Sequence, residues 1–291
     1  MIQYKYSLDK SSNKFICPSC GQKTFVRYVD NASNNYLDDE YGRCDRENKC
    51  RAHFKPNGNR TIDLSLVLKP QKMPSYHSFE LVEKSILDQR QNNFIEFLEN
   101  KFPEYALEAI KKYLIGTSRK FANSTIFWQI DHNEEVHAGK IMLYDNQTGK
   151  RCKSANGKSF ISWVHKIKPE KNFNLVQCLF GLHLIADTDQ KTIALVESEK
   201  TAVIMSIFKP EYIWLATGSK HGFKEKMLEP IRDFRIVAFP DKGEYYDWKK
   251  TARELNSKGY NIVVDEMVDN NDYVEGTDLA DIYFSNMGGG N

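Results

Sequence analysis

The chain has 291 residues, 41% hydrophobic and 27% charged, which is enough apolar material for two or three compact units. Its net charge of +2, from 41 basic and 39 acidic side chains, does not by itself indicate a nucleic-acid partner. No run approaches ~20 consecutive apolar residues, and the N-terminus lacks the apolar core of a signal peptide. These features argue against a membrane protein and predict a cytoplasmic one.

Four of the six cysteines lie in two close pairs near the N-terminus. Cys17 and Cys20 belong to CPSC, and Cys44 and Cys50 to CDRENKC. Because disulfides are rare in the cytoplasm, metal binding is the better interpretation of these pairs. Two thiolate pairs on tight turns are typical of a zinc ribbon, in which four thiolates hold a structural Zn²⁺. We therefore predict a zinc-ribbon module over residues 1–60, with His53 as an alternative to Cys50 as the fourth ligand.

The middle of the chain predicts two kinds of structure. Residues 61–114 contain a proline-containing linker, which is followed from about residue 80 by apolar residues spaced three and four apart, as in amphipathic helices. Residues 115–190 contain strand-like runs joined by polar turns, which predicts an antiparallel segment.

Strands and helices alternate from residue 192 onward, which predicts a mostly parallel sheet. Its carboxyl edge should collect the residues that follow each strand, among them Glu197, Thr217–Gly218 and Asp241. Two acids at one edge, with a glycine between them, suggest a divalent cation and a phosphate. The alternative for Glu197 is capping of the helix that follows, since acidic residues suit the first turn of a helix.

Three segments in this region resemble the Toprim family. LVESEKTAVIMS is similar to the first Toprim motif, with Glu197 and Lys200 at matching positions, and RIVAFPDKGE resembles the strand that ends in Asp-x-Asp, with Asp241 as the first aspartate. EGTDLADIYF resembles the acidic motif near the end of such domains and contributes Asp278 and Asp281.

The sequence departs from these motifs at three positions. Ser198 replaces the glycine of the first motif and Thr201 its aspartate, while Gly243 stands where the second aspartate of Asp-x-Asp is expected. Glu244 follows directly and could substitute through a changed turn. Thr201 and Gly243 therefore favour the alternative of a degenerate Toprim domain that binds without catalysis.

The resemblance extends upstream. GKIMLYDNQTGKR and CLFGLHLI are similar to the segment before the Toprim domain of bacterial DnaG-type primases, and the cysteine module occupies the place of the primase zinc-binding domain. The order of segments looks most similar to short primase-like proteins of mobile elements. It implies an α+β multidomain fold with an N-terminal zinc ribbon, a central mixed α/β primase-like subdomain (115–190) and a C-terminal Toprim domain (191–285).

The resemblance implies a nucleotidyltransferase, a DNA-directed RNA polymerase that makes short RNA primers for replication of a mobile element. Its implied partners are single-stranded DNA, nucleoside triphosphates and a replicative helicase. Mg²⁺ or Mn²⁺ would be held by Asp241 with Glu244 or Asp278, Glu197 would be a further ligand or general base, and Lys200 would neutralise phosphate charge.

Basic residues of the central segment could follow the template phosphates: Lys140, Arg151, Lys153 and Lys158. Their alternative role is that of an ordinary solvated loop. The function also has a second alternative besides the degenerate domain, a Toprim nuclease, because a nuclease uses the same carboxylates.

Overall fold

The computed structural model describes residues 5–46, 48–56, 73–88, 90–169, 172–186, 188–269 and 272–288. The chain divides into two units, Met1–Lys72 and Met73–Asn291. The first part of the predicted linker, residues 61–72, lies outside the described residues. Within the described ranges, none of the helices combines the length and apolar character needed to span a membrane.

The first unit is a small antiparallel sheet. Strands β3 (Lys23–Asp30), β4 (Gly42–Cys44) and β5 (His53–Phe54) are consecutive neighbours, with β1 (Tyr6–Leu8) and β2 (Phe15–Ile16) paired to β3. Its buried hydrophobic cluster consists of Cys17, Phe25, Cys44 and Ala52. A core this small supplies little stability, so a unit of this kind usually needs a metal or a disulfide.

The second unit begins with helices and an antiparallel sheet. Its first three helices are α1 (Phe79–Ile86), α2 (Asn93–Lys101) and α3 (Ala106–Lys112). The sheet has the order β6-β7-β8-β9 and consists of Gly116–Ser118, Ser124–Ile130, Val136–Met142 and Ile161–Trp163. Strands β7 and β8 are buried throughout, because both faces of the sheet are covered. A short helix, α4 (Val164–Ile167), follows β9.

The rest of the unit is an α/β segment. Four parallel strands have the order β11-β10-β12-β13 and are Thr192–Val196 (β10), Ile213–Ala216 (β11), Arg235–Phe239 (β12) and Asn261–Val264 (β13). The helices are α5 (Glu199–Phe208), α6 (Glu225–Leu228), α7 (Tyr245–Asn256) and α8 (Leu279–Gly288). Short 3₁₀ turns occur at Leu182–Ile185, Lys220–Gly222 and Glu229–Ile231. The predicted mixed α/β architecture with a parallel sheet is confirmed.

The strand order creates a crevice at the carboxyl edge of the parallel sheet. Strand β10 has β11 on one side and β12 on the other, and α5 packs in a different hydrophobic cluster from α6 and α7, on the opposite face of the sheet. The chain leaves β10 through α5 on one face of the sheet and leaves β12 through α7 on the other. Such a divergence opens a cleft between two neighbouring strands, where α/β proteins bind ligands. The ends of β10 and β12 therefore frame the expected site.

One hydrophobic core joins the helical, antiparallel and parallel parts of the second unit. It contains Phe94 of α2, Phe127 of β7, Val196 of β10 and Ala280 of α8, all fully buried. The hydroxyl of Tyr113 also donates to the carbonyl oxygen of Trp214 at 2.9 Å. The inner face of the antiparallel sheet is thus fixed against the parallel sheet, within reach of its carboxyl edge.

Candidate active site and metal centre

The four cysteine side chains of the N-terminal unit converge. Their sulfur atoms all lie within 4.8 Å of one another, with 3.7 Å between Cys17 and Cys50 and 3.9 Å between Cys20 and Cys44. Four sulfurs at ~2.3 Å from a tetrahedral Zn²⁺ are about 3.8 Å apart. The donor set and its spacing therefore fit a structural zinc ion.

Tight turns present both thiol pairs. Gly21, with φ of +67°, donates its N–H to the carbonyl of Cys17 at 2.9 Å, and Cys50 donates to the carbonyl of Arg46 at 2.7 Å. The backbone N–H of Gln22 lowers the pKa of Cys20 to about 7, whereas burial raises the pKa of Cys17 and raises that of Cys50 to about 12, so zinc binding has to offset the deprotonation of these two thiols. Both predicted turns are therefore present, and each places its cysteine sulfur atoms at the common site.

His53 lies outside this cluster. Its Nε2 is 2.9 Å from the Tyr28 hydroxyl and its ring stacks on that of Tyr28, whereas the Cys50 sulfur lies among the other three. The geometry therefore favours Cys50, not His53, as the fourth ligand.

Glu197 follows β10 directly, and its carboxylate does not cap the next helix. The capping residue of α5 is Ser198, whose hydroxyl accepts the N–H of Thr201 at 3.4 Å. The Glu197 carboxylate instead lies near the loop after β11, where the backbone N–H of Lys220 partly offsets the rise of its pKa on burial. The capping interpretation of Glu197 is therefore wrong, and its half-buried carboxylate faces the crevice loops.

Four acids form one electrostatic cluster around the end of β12. Burial, together with repulsion from Asp278 and Glu197, raises the pKa of Asp241 to about 8. Burial and repulsion from Glu244 likewise raise the pKa of Glu197. Such a concentration of partly buried negative charge is unfavourable unless protons or a cation compensate it. We call Glu197, Asp241, Glu244 and Asp278 the carboxylate cluster.

Asp278, just before α8, is held by three neighbours. Its Oδ2 accepts from the Thr201 hydroxyl at 2.8 Å and lies 3.5 Å from Nζ of Lys200, while its Oδ1 accepts the N–H of Asp281 at 3.0 Å. Thr201 stands where the Toprim motif has an acid, and here it is a hydrogen-bond donor that orients one. Lys200 also lies 3.9 Å from Asp281.

The turn after Asp241 explains the position of Glu244. Gly243 has φ of +93° and donates its N–H to Asp269 Oδ1 at 3.1 Å, while the N–H of Glu244 bonds back to the carbonyl of Asp241 at 3.0 Å. Glu244 then interacts electrostatically with Glu197, and its Oε1 is 3.3 Å from Nζ of Lys220. The turn thus returns a carboxylate to the cluster although residue 243 carries none.

Lys140 has a different position from the one that the sequence predicts. It lies buried on β8, where its Nζ donates to Oε2 of Glu199 at 3.0 Å and to the carbonyl of Gly218 at 2.8 Å. A buried and doubly bonded ammonium is not free to follow template phosphates, so this prediction is corrected. Sequence reasoning also missed Glu199, although a lysine inside the apolar strand VHAGKIM signals a buried acidic partner.

The other three predicted nucleic-acid residues are exposed on two consecutive hairpins, 144–151 and 153–159. Arg151 pairs with Tyr144, and Lys153 pairs with Ser159, while Lys158 lies close to the tip. Arg151 lowers the pKa of both Glu197 and Asp241, so its charge acts on the carboxylate cluster.

The two candidate centres differ in how closely their donors meet. Within the ranges that the structure describes, the four cysteines form a group of metal-binding donors that all lie within 4.8 Å, and no three acids of the carboxylate cluster do so. Carboxylates are nevertheless the donors that Mg²⁺ prefers, usually with only one or two from the protein. The cluster therefore suits an ion that keeps water or substrate among its ligands.

Together, these features define a two-unit protein, with a four-cysteine ribbon and an α/β unit that carries acids at a parallel-sheet edge. The model of the family "Domain of unknown function (DUF6371)" matches residues 92–242, more than half of the chain, and the protein belongs to this family. The model "Zinc beta-ribbon finger, putative" matches residues 4–62. No curated protein sequence matches the chain.

Several solved structures are similar in fold. The primase fragment of the bacteriophage T7 primase-helicase is 12% identical over 94% of each chain, with a TM-score of 0.43. The DnaG catalytic core is 14% identical over 72% of this chain and 75% of that one, with a TM-score of 0.46. The Aquifex aeolicus primase (zinc-binding and RNA polymerase domains) is 13% identical over 97% and 78%, with a TM-score of 0.38. At these values, the chemistry has to be inferred from this chain's own residues.

Proposed function

We propose that the protein is a metal-dependent nucleotidyltransferase of the primase type, which makes short RNA primers on single-stranded DNA. The observation that carries this proposal is the carboxylate cluster, in which Glu197 and Asp241 follow adjacent parallel strands and repel each other. Acids in this position suit phosphoryl transfer with a divalent cation. The motif resemblance to Toprim domains over residues 191–285 supports the same reaction.

Glu197 and Asp241, with Glu244 or Asp278, would hold Mg²⁺ or Mn²⁺. When bound, such a cation neutralises phosphate oxygens and orients them for displacement. Two features of the cluster suit such a cation. The acids supply oxygen donors, and the raised pKa of Asp241 reflects excess negative charge that a cation would compensate.

The remaining groups of the site would bind and orient the nucleotide. Lys200, paired with Asp278, would supply positive charge to the phosphates, and Arg151 would add a second cation from the hairpin. Thr201 acts as a positioning residue through its hydrogen bond to Asp278. Burial and repulsion from Glu244 raise the pKa of Glu197, and a bound cation would offset that repulsion, so Glu197 would be a further metal ligand or a general base.

The rest of the chain would serve the same reaction. We assign residues 1–60 as the zinc ribbon that contacts the template, 61–114 as linker and helical segment and 115–190 as the primase-like subdomain. Replication of a mobile element, with a replicative helicase as partner, is the context that the sequence resemblance supports.

The test compares Glu197→Gln and Asp241→Asn with Glu254→Gln, an exposed acid of α7, as the matched control. Primer synthesis from ribonucleotides on single-stranded DNA, Mg²⁺ binding and thermal unfolding are measured for each variant. We expect both site variants to fold but to lose at least ~100-fold in rate, since each removes charge where the reaction needs it. Wild-type activity in Glu197→Gln would refute the proposal, and cleavage of the DNA instead of synthesis would identify a nuclease.

A second pair separates the remaining two acids. Strong loss of Mg²⁺ affinity in Glu244→Gln, with little change in Asp278→Asn, would identify Glu244 as the replacement for the missing aspartate at residue 243. The reverse result would assign that role to Asp278, which Thr201 and Lys200 already orient.

A further inference from the structure

A shallow cavity of about 390 Å³, open to solvent, lies beside the hairpin of residues 153–159, outside the carboxylate cluster. One wall is the hairpin tip, where the N–H of Gly157 donates to the carbonyl of Ser154 at 2.8 Å and the N–H of Ser154 donates to that of Lys158 at 2.9 Å. Gly157 has φ of +77°, a conformation that glycine adopts without strain. The hydrogen-bonded turn gives the cavity a defined polar wall with Asn156 and Lys158.

Aromatic side chains also line the cavity. The rings of Phe121 and Phe160 meet edge to face with centroids 5.4 Å apart, and both side chains are only partly buried. Ile161, which also lines the cavity, is 44% exposed. A partly exposed ring beside a polar turn offers a flat apolar face of the kind on which a nucleobase stacks.

The surroundings of the cavity are basic. Residues 150–158 carry four basic side chains and no acidic one, and Arg119 and Lys120 directly precede Phe121. All six are exposed: Arg119, Lys120, Lys150, Arg151, Lys153 and Lys158. Exposed cations that surround aromatic rings are the combination with which proteins bind single-stranded nucleic acids, the cations at phosphates and the rings at bases.

We propose that this cavity holds one unpaired base of a single-stranded nucleic acid, stacked on the ring of Phe160 with Phe121 beside it and Lys158 at an adjacent phosphate. This inference deepens the proposed function and rests on it for the identity of the strand as template. Arg151 acts on the carboxylate cluster, and the tip begins three residues later, ~10 Å along an extended strand. A base held in the cavity therefore anchors the strand beside the acids.

The test uses a single-stranded oligonucleotide that contains 2-aminopurine, whose fluorescence falls when the base stacks. With the wild type we expect quenching and salt-dependent binding, whereas a duplex of the same sequence should give no quenching. Phe160→Ala should remove most of the quenching and weaken binding roughly 5- to 150-fold, the range for one base–aromatic stack. The control is Tyr105→Ala, which removes a 55% exposed ring away from the cavity and should change neither value.

Two further variants keep the result interpretable. Phe160→Leu retains an apolar side chain without a ring, so it should fold as the wild type does and still lose the quenching. Lys158→Ala should weaken binding and reduce its salt dependence while the base still stacks. Unchanged quenching and affinity in folded Phe160→Leu would overturn the proposal.

Mg²⁺ binding separates this proposal from the proposed function. In Phe160→Leu, Mg²⁺ binding should equal that of the wild type, because the carboxylate cluster is intact. A wild type that stacks the base but neither binds Mg²⁺ nor makes primers would refute the proposed function and leave the base site standing. A single-stranded RNA of the same sequence, tested in parallel, shows whether the site distinguishes the two sugars.

Discussion

The cysteine cluster and the carboxylate cluster are assembled in opposite ways. In the first unit, four sulfurs meet within 4.8 Å, and two of the four residues in its buried hydrophobic cluster, Cys17 and Cys44, belong to the metal site itself. In the second unit, four acids stay farther apart on a scaffold whose core runs from α2 to α8. The ribbon has little besides the metal site to hold it together, whereas the acids are held by a fold that is stable for other reasons. We therefore expect metal to complete the fold in one unit and the chemistry in the other.

Removal of thiols provides the largest expected effect. We expect Cys17→Ser/Cys20→Ser to lose zinc and unfold the ribbon, because a structural zinc contributes ~10 kcal/mol or more to the folding of such modules. Metal analysis should give about one zinc per wild-type chain and none in the variant. Cys152→Ser, outside the cluster, is the control and should keep its zinc. Full zinc occupancy in the double variant would show that these cysteines do not hold the zinc ion.

Removal of the buried Lys140 tests how much its ion pair with Glu199 stabilises the second unit, which carries the carboxylate cluster. We expect Lys140→Met to lower the free energy of unfolding by ~3–5 kcal/mol, because it leaves the buried Glu199 carboxylate without its cation. Urea unfolding of the variant is compared with that of Lys150→Met, an exposed lysine of the hairpin. A loss no larger than that of the control would mean that this ion pair does not hold the edge of the sheet.

The smallest expected effect is electrostatic. The pKa of Asp241 is raised from 3.8 to about 8, so the folded state retains a proton that the unfolded state has lost. That contribution to stability is complete below pH ~4 and is lost as pH rises through about 8. Without divalent cations, Asp241→Asn should match the wild type near pH 4 and be more stable above pH 8. The gain should be on the order of 1–3 kcal/mol, since each pKa unit corresponds to ~1.4 kcal/mol and partial exposure screens it.

Urea unfolding at pH 4, 7 and 9 measures this difference. A constant gap between Asp241→Asn and the wild type at all three values would contradict the electrostatic origin. Added Mg²⁺ should reduce the gap at pH 9, because it would stabilise only the protein that retains the carboxylate.

Local patterns predicted much of this architecture. The spacing of the cysteines and the glycine of CPSCG indicated the ribbon turns, and the alternation of strands and helices indicated the parallel sheet. The positions of Glu197 and Asp241 follow from that alternation, because Glu197 comes directly after β10 and Asp241 two residues after the neighbouring β12. These features depend on residues close together in sequence, so periodicity is enough to find them.

Long-range pairing could not be predicted in this way. Lys140 and Glu199 are 59 residues apart and belong to different layers, so only the packing of the antiparallel sheet on the parallel one brings them together. Likewise, the hydroxyl of Thr201 reaches Asp278 across 77 residues. The helix-capping alternative for Glu197 remained open in the sequence because Ser198 and Glu197 are adjacent, and only the side-chain directions distinguish them.

The backbone at Gly243 limits which sequences this site can adopt. At φ of +93° a side chain is strained, and Gly243 also gives its N–H to Asp269. An aspartate at this position, as in the Toprim motif, would therefore need a rebuilt turn and would displace Glu244 from its neighbours. We therefore expect Gly243→Asp alone to disturb the loop rather than to add a functional carboxylate. A second carboxylate at this position would require coordinated changes elsewhere in the loop, including the hydrogen bond to Asp269.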